Sequence, residues 1–320
     1  MNSGMYEAYL HNVARQHFAR RATALLSITT REQAAERQEE IRRICGEIFG
    51  AFPERAALNP KIAERRKCDG WDLEILTYES LPGVTVTAHL YLPQGKREKV
   101  PAVVCPIGHW VAGKAHEEYQ RLGQLLARRG IAALVYDGPG QGERVQFYDI
   151  SLQRSWVGKT VTDEHTFLGN KLFLTGHHLA NWMMWDAMRG LDLLCAREEI
   201  DPRRLGSTGA SGGGTLTRFL CCMEPRLSAA VCVADNFGPD SIGGADAEQN
   251  LFDSVARGVS GLDLLYAFAP KALLLAYCTG DTGAAERAKA NLEDLQGWYA
   301  RFGVQGQVDA FVAEGPHGYL

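Results

Sequence analysis

Leu205-Gly206-Ser207-Thr208-Gly209-Ala210-Ser211-Gly212-Gly213-Gly214 is the stretch whose reading decides the fold of this chain. Residues 205–208 form a short run of strand type, and residues 212–223 carry a helical pattern. Between them stands Gly-x-Ser-x-Gly, a serine on a turn so sharp that the residues two before and two after it must lack a Cβ. Such a turn lifts the hydroxyl above the end of a sheet. With 11 serines and 34 glycines in 320 residues, roughly 0.1 accidental matches to this spacing are expected. A strand before and a helix after reduce that further, so Ser211 reads as a nucleophile.

Outward from this turn, short Val/Ala/Leu/Ile runs at 102–105, 131–136, 205–208, 229–233, 272–277 and 308–312 read as buried strands. Amphipathic stretches at 114–129, 178–197, 212–223 and 284–301 separate them, which predicts a doubly wound, mostly parallel α/β sheet with helices on both faces. Residues 73–78 and 84–92, joined by Leu81-Pro82-Gly83, read as an antiparallel pair ahead of that sheet. Residues 6–50 contain no proline and restart at Thr30-Arg31-Glu32-Gln33, a capping-box pattern, so they read as two helices. The expected organisation is a helical extension over 1–60 and an α/β domain over 61–320. The segment 143–176 lacks a clear period but holds Phe147, Tyr148, Trp156, Phe167 and Phe173, and reads as a lid or a packed insertion.

Composition narrows the function classes. Lys plus Arg total 34 against 38 Asp plus Glu, a formal charge of −4, which argues against nucleic-acid and anionic-membrane partners. No apolar run approaches the roughly 20 residues of a transmembrane helix. Glu7, His11 and Arg15 interrupt the region where a secretory signal would hold its apolar core. Eight cysteines without a CxxC pair suggest reduced thiols and a cytoplasmic location.

A serine hydroxyl needs a base, and the base needs an orienting acid. His317, in Glu314-Gly315-Pro316-His317-Gly318-Tyr319, is the one histidine after Ser211 and follows the last strand. Asp281, in the loop after the apolar run 272–277, is the best candidate for the acid, with Asp235 the runner-up and Asp240 third. The oxyanion of a tetrahedral intermediate needs two backbone N–H donors. Gly212 is expected to supply one. The loop Pro106-Ile107-Gly108-His109-Trp110 is expected to supply the other, from His109, with Trp110 next. Trp110, Phe147, Tyr148 and Trp156 are candidates for the substrate pocket.

Other clusters carry less. His177-His178 points in two directions on a helix start and reads as a cap rather than a metal pair. Cys221 and Cys222 read as core, as does Trp182-Met183-Met184-Trp185. Gly138-Pro139-Gly140-Gln141-Gly142 lacks both the Lys-Ser/Thr of a P-loop and the GxGxxG spacing. No metal and no cofactor are expected.

Together, Gly209-Ala210-Ser211-Gly212-Gly213, the Asp281 loop, Pro316-His317-Gly318 and Tyr136-Asp137-Gly138-Pro139-Gly140-Gln141-Gly142-Glu143-Arg144 resemble the α/β-hydrolase superfamily over about residues 71–317. Val86-Thr87-Ala88-His89-Leu90-Tyr91-Leu92-Pro93 resembles an antiparallel strand of the acetyl xylan esterase, dienelactone hydrolase and prolyl-oligopeptidase-like branch. Gly108-His109-Trp110 ahead of Gly113-Lys114 is similar to the oxyanion loop of acetyl xylan esterase-like proteins.

The resemblance implies a cofactor-free serine hydrolase working through Ser211, His317 and Asp281 on esters of small acyl groups, acetyl esters of sugars among them. Its partner would be a small-molecule or carbohydrate ester. Cleavage of C–C or amide bonds on the same fold is the alternative reaction, and an inactive binding domain the non-enzymatic one. Members of the superfamily usually place a helix after the histidine loop, whereas this sequence ends three residues beyond His317. The expectation is therefore an exposed apolar flank and a His317 loop without an anchor, as in a fragment of a longer protein, unless the N-terminal helices or another subunit cover the flank. Those helices are equally a candidate homo-oligomer surface or a lid support.

Overall fold

The computed structural model describes residues 4–95, 98–238, 240–242 and 246–319. Two helices open the chain, α1 (Met5–Leu26) and α2 (Arg31–Phe49). The Thr30 hydroxyl accepts from the Gln33 amide at 3.2 Å while the Gln33 side chain accepts from the Thr30 amide, closing the capping box. Three antiparallel strands follow: β1 (Lys61–Cys68), β2 (Trp71–Leu81) and β3 (Val84–Pro93). β1 was invisible to pattern reading because Lys-Ile-Ala-Glu-Arg-Arg-Lys-Cys has no apolar alternation. It is an exposed edge strand, whose charges guard an unpaired edge.

The remaining main strands are β4 (Val100–Cys105), β5 (Ala132–Tyr136), β8 (Ile200–Ala210), β9 (Leu227–Val233), β10 (Ala272–Cys278) and β11 (Val308–Ala313), with a small hairpin β6 (Tyr148–Asp149) and β7 (Arg154–Ser155) outside the sheet. The nine-stranded order is β1-β2-β3-β5-β4-β8-β9-β10-β11, antiparallel as far as the β3/β5 pair and parallel from β5 to β11. Helices α3 (Glu117–Arg128), α5 (Leu179–Cys195), α6 (Gly212–Met223) and α8 (Ala284–Ala300) lie close to where the sequence places them. Two were missed, α4 (Val161–Phe173) and α7 (Gly261–Tyr266). α4 lies inside the segment 143–176, so that segment is a hairpin plus a helix rather than irregular chain.

The sheet divides the core. On one face α2, α5, α6, α7 and α8 bury Ile41, Phe49, Met184, Leu191, Phe219, Leu265 and Trp298 together with Tyr78 and Leu134 of the strands. The N-terminal helices are part of this core and not a separate layer: Asp263 of α7 receives Arg37 at 3.0 Å and Arg21 at 2.5 Å, both from the extension. On the other face α3 covers Trp71, Tyr91, Cys105 and Val135. Toward β11 that face is thinner: Leu274 and Ala276 are half-buried and Phe311 is 57% exposed. The N-terminal helices sit on the opposite face. Among the described residues no helix is long and apolar enough to cross a membrane.

Candidate active site

Parallel strands deliver their C-terminal ends to one edge of a sheet, and loops there converge. β8 ends at Ala210, and Ser211 follows with φ 58° and ψ −123°, a conformation outside the ordinary L-residue regions. The turn is held by the Ser211 amide donating to the Val233 carbonyl at 2.9 Å and by the Thr215 amide donating to the Ser211 carbonyl at 3.0 Å. The two flanking glycines are required by contact. A Cβ on Gly209 would lie 2.2 Å from the Gly213 carbonyl oxygen, and one on Gly213 would lie 2.3 Å from that of Pro106.

Asp281 and His317 are brought together as expected: His317 Nδ1 lies 2.8 and 2.9 Å from the two carboxylate oxygens of Asp281. Nδ1 therefore carries the proton and Nε2 is free to accept one. Asp235 does not compete. It accepts from Arg218 Nε at 2.7 Å and from the Thr215 hydroxyl at 3.0 Å, beneath α6. Asp240 is exposed and has no part in the pair.

The expectation that the His317 loop would lack an anchor is corrected by Tyr319. Its hydroxyl shares a 2.6 Å hydrogen bond with Thr208 of β8, its ring meets Tyr119 edge-on at 5.7 Å, and its amide donates to the buried Glu118. Cys278, at the end of β10, donates through Sγ to the Gly318 carbonyl at 3.2 Å. The Tyr319 side chain and amide, the Cys278 thiol and the Thr279–Gly280 contacts with Gly315 together pin the loop to the sheet. Nothing in residue order marks the Tyr319 contacts, because Glu118, Tyr119 and Thr208 are all more than a hundred positions away.

The oxyanion loop is equally constrained. The Gly108 amide donates to the Tyr119 hydroxyl at 2.7 Å and the Trp110 amide to the Gly108 carbonyl at 2.7 Å. Among the described residues the His109 amide has no partner, which leaves it, and not the Trp110 amide, open to a ligand. Gly212 is the first residue of α6, so its N–H lies outside the intrahelical ladder. Below the loop, the Asp137-Gly138-Pro139-Gly140-Gln141-Gly142 turn acts as its support. Gln141 donates to the Gly108 carbonyl at 2.5 Å, and buried Asp137 accepts from the Lys114 amide at 2.7 Å and its ammonium at 2.6 Å.

Of the proposed pocket residues, Trp110 is 41% exposed, stacks on His116 at 3.9 Å and donates to Glu118 at 3.0 Å. Phe147 and Trp156 pack edge-on with Phe167 of α4, and Lys171 lies over the Phe147 and Phe167 rings. Phe147 is thereby committed to packing, while Tyr148 and Trp156 remain more than half exposed. His178 caps α5 through Nδ1, which accepts from the Ala180 amide at 3.1 Å. Cys221, Cys222, Met183, Met184 and Trp185 are buried in the core, as read, whereas Trp182 is only half-buried and meets the His177 ring edge-on at 5.6 Å.

Sequence reasoning missed a cluster beside Gly212. Glu248 Oε1 is 2.6 Å from His109 Nε2, and Glu248 Oε2 is 3.2 Å from Nδ1 of His165 in α4. These three side chains would also suit a cation by residue type. Their joint presence had no signal in the sequence, since they come from three separate loops and helices.

Comparisons with known proteins give the family. The acetyl xylan esterase (AXE1) family model matches residues 56–237, more than half of the chain. A curated relative, "Putative hydrolase YtaP" of Bacillus subtilis (strain 168), is 21% identical over 209 residues, covering 62% of this chain and 62% of that protein. The chain thus spans under two thirds of the length of that relative. Among solved structures, a "putative acetyl xylan esterase (BF1801)" from Bacteroides fragilis NCTC 9343 superposes with a TM-score of 0.71 at 18% identity, over 89% of this chain and 77% of that one. A glucuronoyl esterase from Solibacter usitatus gives 0.64 at 15% identity, over 91% and 90%. At such identities the likeness is one of fold. The sharp serine turn, the Asp281–His317 pair and the family match over residues 56–237 together place this chain in the acetyl xylan esterase family of α/β-hydrolases.

Proposed function

We propose that the chain is a serine hydrolase of carboxylic esters with small acyl groups, esterified sugars among its substrates. The observation that carries this reading is the His317–Asp281 pair held at the sheet edge where Ser211 sits on its strained turn. His317 Nε2 takes the proton of Ser211 Oγ as the oxygen attacks the acyl carbonyl. The negative charge that develops on the carbonyl oxygen is met by the amides of Gly212 and His109. His317 then gives its proton to the departing alcohol, and a water activated by the same imidazole releases the acid from the acyl-enzyme. Asp281 holds the imidazole with Nδ1 protonated and stabilises its charged form. Every step uses side chains and amides of this chain.

The exposed rings of Trp110, Tyr148 and Trp156 are the candidates for holding a sugar. The match to the acetyl xylan esterase family supports an acetyl ester. Eight free cysteines, six of them buried in the core, support a reducing, cytoplasmic setting. The test is fluorophosphonate labelling with peptide mapping, beside turnover of p-nitrophenyl acetate, p-nitrophenyl amides and a β-diketone. Labelling at Ser211 with ester turnover is expected. Esters left intact while the diketone or amide is cleaved would transfer the chain to the other reaction class, and a folded chain without label would make it a binding domain.

A further inference from the structure

Beside Gly212 lies a buried arrangement that the reaction above does not use. Glu248 comes from the segment after β9, His165 from α4 of the 143–176 segment, and His109 from the oxyanion loop itself. His165 is fully buried and Glu248 is 1% exposed. The His165 Nε2 atom is 2.8 Å from the Pro139 carbonyl oxygen. A carbonyl only accepts, so Nε2 carries a hydrogen. The other ring nitrogen, Nδ1, faces Glu248 Oε2 at 3.2 Å. Among the described residues neither atom has a well-aligned hydrogen-bond partner, so a second proton on Nδ1 would replace a lone pair facing a carboxylate by an ion pair in a buried site. The remaining carboxylate oxygen, Oε1, accepts from His109 Nε2 at 2.6 Å. Among the described residues Asp246, whose Oδ2 is 3.7 Å from His109 Nδ1, and His178, which interacts with the Glu248 charge, also face this cluster.

A cation would be the competing occupant. Two ligands at about 2.1 Å from a tetrahedral ion stand roughly 3.4 Å apart. The 2.6 Å separation of Glu248 Oε1 and His109 Nε2 is that of a hydrogen bond instead.

We propose that Glu248 is a positioning residue for the oxyanion hole: paired with the His165 imidazolium, it fixes the His109 ring against Gly212 and so aims the two donor amides. This rests on the reading of Gly212 and His109 as those donors. The chain of contacts runs from the Pro139 carbonyl through His165 and Glu248 to His109, whose ring is so close to Gly212 that a Cβ there would be 2.7 Å away. It also ties the 143–176 segment and the segment after β9 to the 106–110 loop through one carboxylate. The Glu248 and Asp246 carboxylates hold the His165 imidazole above the ordinary histidine range against the opposing effect of burial. The two histidines hold Glu248 far below the ordinary carboxylate range. The pair is intact below the unfolded histidine value and is lost as pH rises through the raised folded value of His165.

Glu248→Gln tests this directly. Its amide oxygen can accept from His109 and its NH2 can donate to a neutral His165, which keeps the contacts with one proton fewer. Expected are a loss of about threefold in kcat at neutral pH and disappearance of the alkaline fall in kcat that the imidazolium causes in the wild type. Glu248→Ala should lose about 10- to 100-fold in kcat with KM within about threefold. An alanine variant of wild-type melting temperature that keeps more than half of kcat overturns the proposal, as does an unchanged alkaline limb in Glu248→Gln. Nitrogen-15 NMR of the histidine rings gives a readout free of turnover. Both His165 nitrogens should be protonated at neutral pH in the wild type and one in Glu248→Gln. A neutral His165 in the wild type, or stoichiometric Zn2+ uptake that shifts the His109 and His165 resonances, overturns the pair even if no ester is hydrolysed. A protonated His165 in a chain without ester turnover would refute the esterase reading alone.

Discussion

A Cβ placed on Gly212 would come within 2.7 Å of the His109 ring. The first residue of α6 and the oxyanion loop are therefore in contact at van der Waals limits, and each fixes where the other's amide points. Gly212→Ala should push His109 away and spoil both donors at once. We expect kcat on p-nitrophenyl acetate to fall about 10^2- to 10^3-fold, the cost of losing an oxyanion donor, with the melting temperature lowered by only a few degrees. Steady-state kinetics beside a thermal melt separates the two effects, and unchanged kcat would show that the amide of Gly212 faces no developing charge.

Ser211 pairs strain with chemistry. Its φ of 58° favours glycine, and the cost of holding a side chain there is of order 1 to 3 kcal/mol. Ser211→Gly is expected to raise stability by about 1 kcal/mol while removing about 10^4- to 10^6-fold of kcat. Urea unfolding of the two proteins checks the first number, and a glycine variant less stable than the wild type would mean that the serine hydroxyl makes up for its own backbone.

Asp281 and Asp235 should dissociate function from stability. Asp281→Ala should lower kcat by about 10^4-fold with little change in unfolding, because its partner is the half-exposed His317. Asp235→Ala strips the buried Arg218 of its carboxylate and is expected to cost about 3 kcal/mol of stability, with kcat of the folded fraction within about tenfold of wild type. Reversal of the two patterns would hand the acid role to Asp235.

Tyr319 anchors the His317 loop through Thr208, Tyr119 and Glu118. Tyr319→Ala should loosen that loop and lower both kcat and the rate of fluorophosphonate labelling about 10- to 100-fold. Tyr319→Phe, which keeps the ring and loses one hydrogen bond, should lie within about fivefold of wild type. Equal losses in the two variants would place the anchoring in the hydroxyl alone.

Acid should weaken the fold through His89 of β3. Burial, aided by the Lys114 ammonium, holds its imidazole down at about 4. The unfolded chain binds a proton near pH 6.5 that the folded chain refuses, so this part of the stability is whole above pH 6.5 and drains away as pH falls toward 4. With its partial exposure discounted, the loss is roughly 2 kcal/mol. Thermal melts from pH 7 to pH 4.5 should show the wild type losing stability relative to His89→Gln as pH falls, and parallel curves would refute the assignment.

The local sequence by itself determined most of the frame and the order of the reactive groups. Strand runs with apolar cores, the Thr30 capping box, and a serine between glycines that must lack a Cβ are short-range signals, each imposed by sterics over fewer than ten residues. Asp281 and His317 were legible because a fold of this type brings loops after successive strands to one edge, so chain order stood in for distance. β1 and α4 were not legible, since the edge strand is built of charges and α4 is held by contacts with distant segments. Tertiary structure alone decided three things. It bound Asp235 to Arg218 and left Asp281 for His317, it pinned the histidine loop through Tyr319, and it gathered His109, His165 and Glu248 beside Gly212. Each of these joins residues from different elements, and such contacts leave no periodicity or spacing in the sequence because the residues meet only after the sheet and its helices have packed.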